Sequence, residues 1–493
     1  MAGRGIVNGW VPYVDFFDLK GPYFFFIQAL GQFIAKGRLG AYILQVFALF
    51  FALILIIKTC RLFVSTKKTA FFTGIFLLFH IATLWGGNTL EEFMLPLSLL
   101  SIYLVLKDLD RHGFISPISA LITGVCFGII TFSKITVAAP IVGLVLGIFF
   151  FNLRAKATVD ASNSNTLHTN DTISGISYTR NTLEFILFAF LGFLLSITPI
   201  FIYFFSKHAL LDMLYSVFIF AFKRSTDFGT PFSLRWELKI SGCYFALIFA
   251  TMQILPIKNS RTGDSSESIS QKNAVKTPYF KNKSFSKEKE AIIEFLLTTI
   301  ICMSIVTALC LHLGDPFIYY FTTIYPVLML TFITMFLVYD PFILFRTYRL
   351  DIPLALFAIT MCYFASCSAS TLNTVIYDRD NSYYQNYVDC AKEMASFIPS
   401  GDRDSVYSIN MDMQWFEINE ILPYYSYTIN LQFFVALDPR IEENIIKKLK
   451  QDPPKWIVIG GDLSSYLPNL YEVVKPRYEN VYENTYGALY LLQ

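Results

Sequence analysis

Charge is what this chain has least of. Only 15% of its 493 residues are Asp, Glu, Lys or Arg, against 54% hydrophobic residues, so it lacks the polar surface by which a chain of this length dissolves in water. A basic excess is missing too. The formal net charge is +2, which gives no sign of a nucleic-acid partner; what matters is where the positive residues sit relative to the apolar runs. Cysteines are few and ill placed for a disulfide framework. Cys60, Cys126, Cys243, Cys302, Cys310, Cys362 and Cys367 fall in or beside apolar segments and only Cys390 lies in the polar C-terminal part, so they read as packing residues. No glycine-rich phosphate fingerprint occurs: "VIGGDLSS" has neither the spacing nor the lysine of a P-loop. No internal repeat is visible, which counts against the paired halves common in transporters.

What is present is apolar and aromatic, with 50 Phe. A transmembrane helix needs roughly 20 mainly apolar residues, and on that rule the chain reads as an α-helical polytopic membrane protein of about ten spans. They are Leu39 to Phe63, Ala70 to Trp85, Phe93 to Leu106, Ile115 to Phe132, Ile135 to Phe151, Leu183 to Phe205, Leu238 to Ile257, Ala291 to Leu313, Phe317 to Val338 and Ile352 to Ala369. The third, fourth and fifth are short.

Lys and Arg concentrate in cytoplasmic loops. One alternating set of loops carries Lys58, Arg61, Lys67 and Lys68, then Lys107 and Arg111, Arg154 with Lys156 and Arg180, Lys258 through Lys289, and Arg346 with Arg349. That set is placed inside. The turns "GGNTLEEF" and "LGDP", and everything after Ser370, then lie outside, as does the opening stretch "GWVPYVDFFDLKGPYFFF". Residues 1–38 read as an outer loop followed by an interfacial helix over Pro22 to Ala35, too short at about 14 residues to span. Ala209 to Phe222 reads as a second interfacial helix. Residues 39–370 form the membrane domain and 371–493 a small extracytoplasmic α/β domain, in which "DSVYSIN" and "KWIVIGG" read as strands, "IEENIIKKLKQ" as a helix and "NVYENTYGALYLL" as a closing strand or hairpin. Its aromatic run "DMQWFEINEILPYYSYTIN" fits either sugar stacking or core packing.

Charged residues among aromatics at a membrane face are costly to desolvate unless something uses them. Lys20 can hold a phosphate; Asp15 and Asp18 can take a proton from a hydroxyl or hold a divalent cation, Mg or Mn, against that phosphate. Glu91 and Glu92 form a second acidic pair on the same face, and Lys134 adds a cation. The structural alternative has equal weight: Asp15 and Asp18 as caps, Glu91 and Glu92 as favourable charge at a helix N-terminus.

Three stretches in order, "NGWVPYVDFFDLKGPYFFFIQALG", "GGNTLEEFMLPLSL" and "GDPFIYYFTTIYPVL", resemble the bacterial branch of the C-type glycosyltransferase superfamily, whose relatives include the protein O-mannosyltransferases and the lipid A aminoarabinose transferases. The resemblance implies a multi-pass enzyme of the bacterial cytoplasmic membrane. Such an enzyme moves a sugar from a polyprenyl-phosphate donor to a hydroxyl of a cell-envelope glycan, lipid or protein on the outer face, with inversion. It implies that Lys20 in "DLKGP" contacts the carrier phosphate and that Glu91 and Glu92 help place the sugar or a metal; in the expected mechanism, Lys207, Lys223, Arg224 or a divalent ion is a further source of positive charge for the leaving phosphate. Tyr319 and Tyr320 stand where related sequences often carry a His-Tyr pair. Asp15, Asp18 and Glu92 are the candidate catalytic carboxylates; Lys20, Glu91, Lys134, Lys223, Arg224 and Tyr320 are the candidate binding residues.

The family places its catalytic-base aspartate after a first transmembrane helix, and here no aspartate precedes Asp15. The expectation is therefore a chain begun at an internal methionine, with one more span and that aspartate upstream; the alternative is a paralogue in which Asp15 or Asp18 takes over. A flippase for a lipid-linked saccharide and a non-catalytic binding protein are the rival readings.

Overall fold

The computed structural model describes residues 1–83, 87–163, 171–223, 243–251, 287–312, 318–338, 382–427 and 431–493. The chain divides into two compact units: Gln45–Ile200 with Gly229–Leu372, and Met1–Leu44 with Phe201–Phe228 and Asn373–Gln493.

The first of these is helical. Helices occupy Leu39–Phe63, Thr66–Thr83, Leu90–His112, Pro117–Thr131, Ala139–Asn163, Asp171–Ser206, Lys287–His312 and Tyr325–Val338, with short 3-10 turns at Ile135–Ala138 and Ile318–Ile324. Among the described residues, five helical segments are long and apolar enough to cross a membrane: Leu39–Phe63, Ile135–Arg154, Asn181–Ser206, Glu290–His312 and Tyr320–Val338. The chain is thus a multi-pass membrane protein. The segment expected as the third span, Phe93 to Leu106, lies within a longer helix that begins at Leu90, continues to His112 and stops at Gly113, whose left-handed backbone caps it. Of the expected span Leu238 to Ile257, residues 243–251 are described and are helical. The expected span Ile352 to Ala369 lies outside the described residues.

Lipid gives these helices little reason to associate by burying apolar surface, so close backbone approach between small residues takes over. Gly143 and Gly147, four apart on one helix, press on Met303 and Thr299: a Cβ added to either would come within 2.4 and 2.5 Å of them. Gly124 and Gly128 repeat the arrangement against Ala189 and Ser196 of the Asp171–Ser206 helix. Around these contacts lies one apolar core, to which Ile56, Phe76, Leu99, Leu144, Leu296 and Leu330 belong.

The second unit carries a four-stranded sheet, β1 (Val406–Ile409), β2 (Trp456–Ile459), β3 (Tyr478–Asn484) and β4 (Gly487–Leu492), in the order β1-β2-β4-β3. β1 and β2 are parallel, with Val406 opposite Trp456, and the other pairs are antiparallel. All four segments fall where the strand patterns predict them. Period-two alternation sends Tyr407, Ile409, Ile457 and Ile459 into one core and Val406, Trp456, Val458 and Leu489 into another, so both faces are covered. Helix Arg440–Gln451 seals the first with Ile441, Ile445 and Leu449, spaced four apart on its buried stripe, and ends at Asp452 before two prolines.

That same core takes in Phe220 of a π-helical turn at Tyr215–Phe220, with Phe17 and Leu19 of the opening stretch packed against it. Phe17 also donates its backbone N–H to the Ser426 carbonyl at 3.1 Å. The segment expected to be an interfacial helix is helical over Pro22–Ile34, started by Pro22 in its first turn.

Candidate functional site

In the helical unit the site grows from the first turn of Leu90–His112. Thr89 has the extended backbone of an N-cap, which places Glu91 and Glu92 in the turn where the helix dipole favours negative charge. Both carboxylates are only 3% exposed. Buried carboxylates are costly unless paired, and each has a different set of partners.

Glu91 lies 2.9 Å from the Lys134 ammonium. Lys134 sits in the break between the Pro117–Thr131 helix and the following 3-10 turn, with extended backbone. Its ammonium also stands 3.5 Å from the centre of the Tyr320 ring, a cation–π contact. The lysine side chain stays 27% exposed, so the group has a buried negative end and a partly open positive end. Three stretches far apart in sequence, "NTLEEF", "FSK" and "FIYYF", therefore meet at one ammonium.

Glu92 is held more completely. It accepts hydrogen bonds from Gln45 Nε2 at 2.6 Å and from the Thr89 backbone N–H at 3.2 Å, and lies 3.5 Å from His80 Nε2. Gln45 Oε1 in turn accepts from the Asn88 N–H at 2.8 Å. Gly87 makes room for this: it has a φ of +75°, and a Cβ there would stand 2.8 Å from Gln45 Nε2. Glu92 thus ties the loop before the helix to two neighbouring helices.

The other expected residues belong to the second unit. Asp15 accepts from the Val11 N–H at 2.6 Å and closes a turn. Asp18 accepts from the Leu19 N–H and pairs with Lys20 at 3.0 Å, with Lys20 46% exposed. The loop is anchored by Tyr13, whose backbone is left-handed at φ 72° and whose hydroxyl donates to the Lys20 carbonyl at 2.7 Å. Burial pushes the Tyr13 phenol well above its usual range, which keeps it a hydrogen-bond donor. Lys223 lies in the helical residues that follow the π-helical turn. Arg224 and the side chain of Tyr319 lie outside the described residues.

No protein-family model matches the chain, and no curated protein matches it either. Among solved structures it is similar to two crystal structures of ArnT from Cupriavidus metallidurans. The apo form aligns over 99% of this chain and 91% of that one at 11% identity and a TM-score of 0.39. The form bound to undecaprenyl phosphate covers the same shares at 12% identity and a TM-score of 0.37. At these TM-scores the likeness decides neither the fold nor the chemistry of this chain.

Among the described residues, no three His, Cys, Asp or Glu side chains stand together as a metal site.

Gln45 and His80 were not among the expected site residues. Their signal was in the sequence: each is a polar side chain inside an apolar run, where such a residue needs a buried partner.

Proposed function

We propose that this protein transfers a sugar from a polyprenyl-phosphate donor to an acceptor hydroxyl at the outer face of the cytoplasmic membrane, with inversion. One observation carries the reading. The second and third of the three family-like stretches, separate in sequence, meet at Lys134, between the Glu91 carboxylate and the Tyr320 ring.

In this reading the partly open ammonium of Lys134 faces the anionic part of the donor, and Tyr320 and Glu91 fix its position. A cation held in place by an aromatic ring and a buried carboxylate needs no reorganisation when charge develops on a leaving phosphate. The acceptor hydroxyl attacks the anomeric carbon, the bond to the carrier oxygen breaks, and the carrier phosphate leaves with the electron pair. Lys20 is assigned to a carrier phosphate by its place in "DLKGP" alone. Glu92, engaged by Gln45 and the Thr89 amide, positions the loop rather than accepting the hydroxyl proton; Asp15 and Asp18 are the remaining carboxylates for that step.

The test is transfer of radiolabelled sugar from a polyprenyl-phosphate donor to membrane acceptors. Lys134→Ala is expected to lower transfer by about 100- to 1,000-fold, the effect of removing one preorganised charge-stabilising group. Transfer unchanged in that variant sinks the assignment. A second reading, movement of a lipid-linked saccharide across the membrane, is favoured by Gln45 and His80, polar groups buried within apolar helices. It expects the donor to change leaflet with no carrier phosphate released.

A further inference from the structure

The C-terminal sheet has a cavity of about 440 Å³ at the carboxyl ends of its two parallel strands. Asn410, Met411 and Asp412 directly follow β1, and Gly460 and Gly461 directly follow β2. This is the edge at which α/β sheets bind ligands, because the chain turns away there and leaves a crevice. Its size falls within the roughly 300–1,000 Å³ of small-molecule sites. Gly460 keeps the floor bare: a Cβ there would come 2.6 Å from the Asn410 carbonyl.

The lining defines the ligand class. Tyr387, Tyr466 and Tyr486 come from three separate segments, and the first and last pack edge to face with ring centres 5.1 Å apart. Asn410, Gln414 and Gln432 supply amides, and Asp412 is the one charged side chain among the described lining residues. Among the described residues no Lys, Arg or His lines the cavity, so none of them offers a cation to a phosphate or carboxylate. Among the described lining residues, only Met411 and the tyrosine rings are apolar enough to receive a lipid chain. Gln414 Oε1 is buried and has no hydrogen-bond partner among the described residues, an acceptor in want of a donor.

Ring faces for C–H groups, amides and a carboxylate for neighbouring hydroxyls, with no cation among the described lining residues, together suit an uncharged polyol. We infer that the C-terminal domain binds a neutral saccharide in this cavity, with Gln414 accepting from a sugar hydroxyl and Tyr466 stacking on a pyranose face. The site goes beyond the transfer chemistry and does not rest on it.

Binding is measured without any donor, so the two readings fail separately. The full chain in nanodiscs is titrated by saturation-transfer NMR with methyl α-glucopyranoside, methyl β-galactopyranoside and methyl N-acetyl-β-glucosaminide, and with inorganic phosphate as competitor. Saturation of the ring protons of at least one glycoside is expected, with affinity at least tenfold weaker in Tyr466→Ala and in Gln414→Ala. No saturation of any of the three, equal affinity in Tyr466→Ala, or displacement by phosphate overturns the inference. Tyr466 is 50% exposed, so its variant keeps the fold and decides the question even if Gln414→Ala does not fold.

Discussion

The carboxylates of the opening loop and those at the start of the Leu90–His112 helix are satisfied in opposite ways. Asp15 is bonded by an amide four residues away and Asp18 by a lysine two residues away. Glu91 and Glu92 take partners 43 and 47 positions distant. The first pair lies in a loop that could hold its charges wherever it was placed; the second is buried and exists only because helices have packed. Burial makes the second arrangement expensive to disturb and gives its charges a fixed direction.

The largest expected effect tests that asymmetry. Lys134→Met strands the buried Glu91 carboxylate and should destabilise the purified protein by about 3 kcal/mol. Glu91→Leu added to it should restore much of the loss, since two apolar groups leave no charge unpaired. Thermal melting of both variants in detergent measures this; a double variant as unstable as the single one would mean that packing and not charge dominates the site.

Next comes the scaffold that brings distant partners together. Gly147→Leu drives a side chain into Thr299 and should cost about 1–3 kcal/mol, read by the same melting experiment. A neutral result would remove close helix contact as the reason these segments assemble.

Asp438 sharpens the comparison as an intermediate case. It is bonded by Arg440, two residues away, at 2.6 and 2.8 Å, and by the hydroxyl of Tyr215 from a distant segment. The Arg440 guanidinium holds its carboxyl well below the usual carboxylate range, with the Tyr215 hydroxyl adding to the effect. A carboxylate whose folded pKa is depressed contributes stability that is fully present above its unfolded value of about 3.9 and lost as the pH falls below it. The melting temperature of Asp438→Asn should therefore fall less between pH 5 and pH 3, taken as roughly one unit either side of that value, than that of the native protein. Equal acid sensitivity would refute the contribution.

The smallest effect belongs to the opening loop. Asp18→Asn breaks a half-exposed pair and should change stability by less than about 1 kcal/mol. A loss as large as that of Lys134→Met would break the comparison outright.

Much of this was legible along the chain. The strands and the Arg440–Gln451 helix followed from period-two and period-3.6 patterns, and the apolar helices from length and hydropathy. The pair Glu91 and Glu92 was legible as a helix start, and Lys134 as a lone cation after a span. The partners were not: nothing local says that Lys134 lies against Glu91 and Tyr320, or that Gln45 and His80 turn toward Glu92. The glycines at 143 and 147 had a readable spacing in an apolar run, though not a readable partner. The cavity beside β1 and β2 could not be foreseen, since its lining comes from segments between Tyr387 and Tyr486.

By itself the sequence determined that this is a membrane protein of apolar helices with an α/β end piece, because solvent preference and backbone periodicity act over a few residues at a time. Only the tertiary structure decided which carboxylate meets which cation and where a crevice opens. Those outcomes depend on helices and strands approaching from distant parts of the chain, and contact between distant side chains leaves no periodic trace in the sequence.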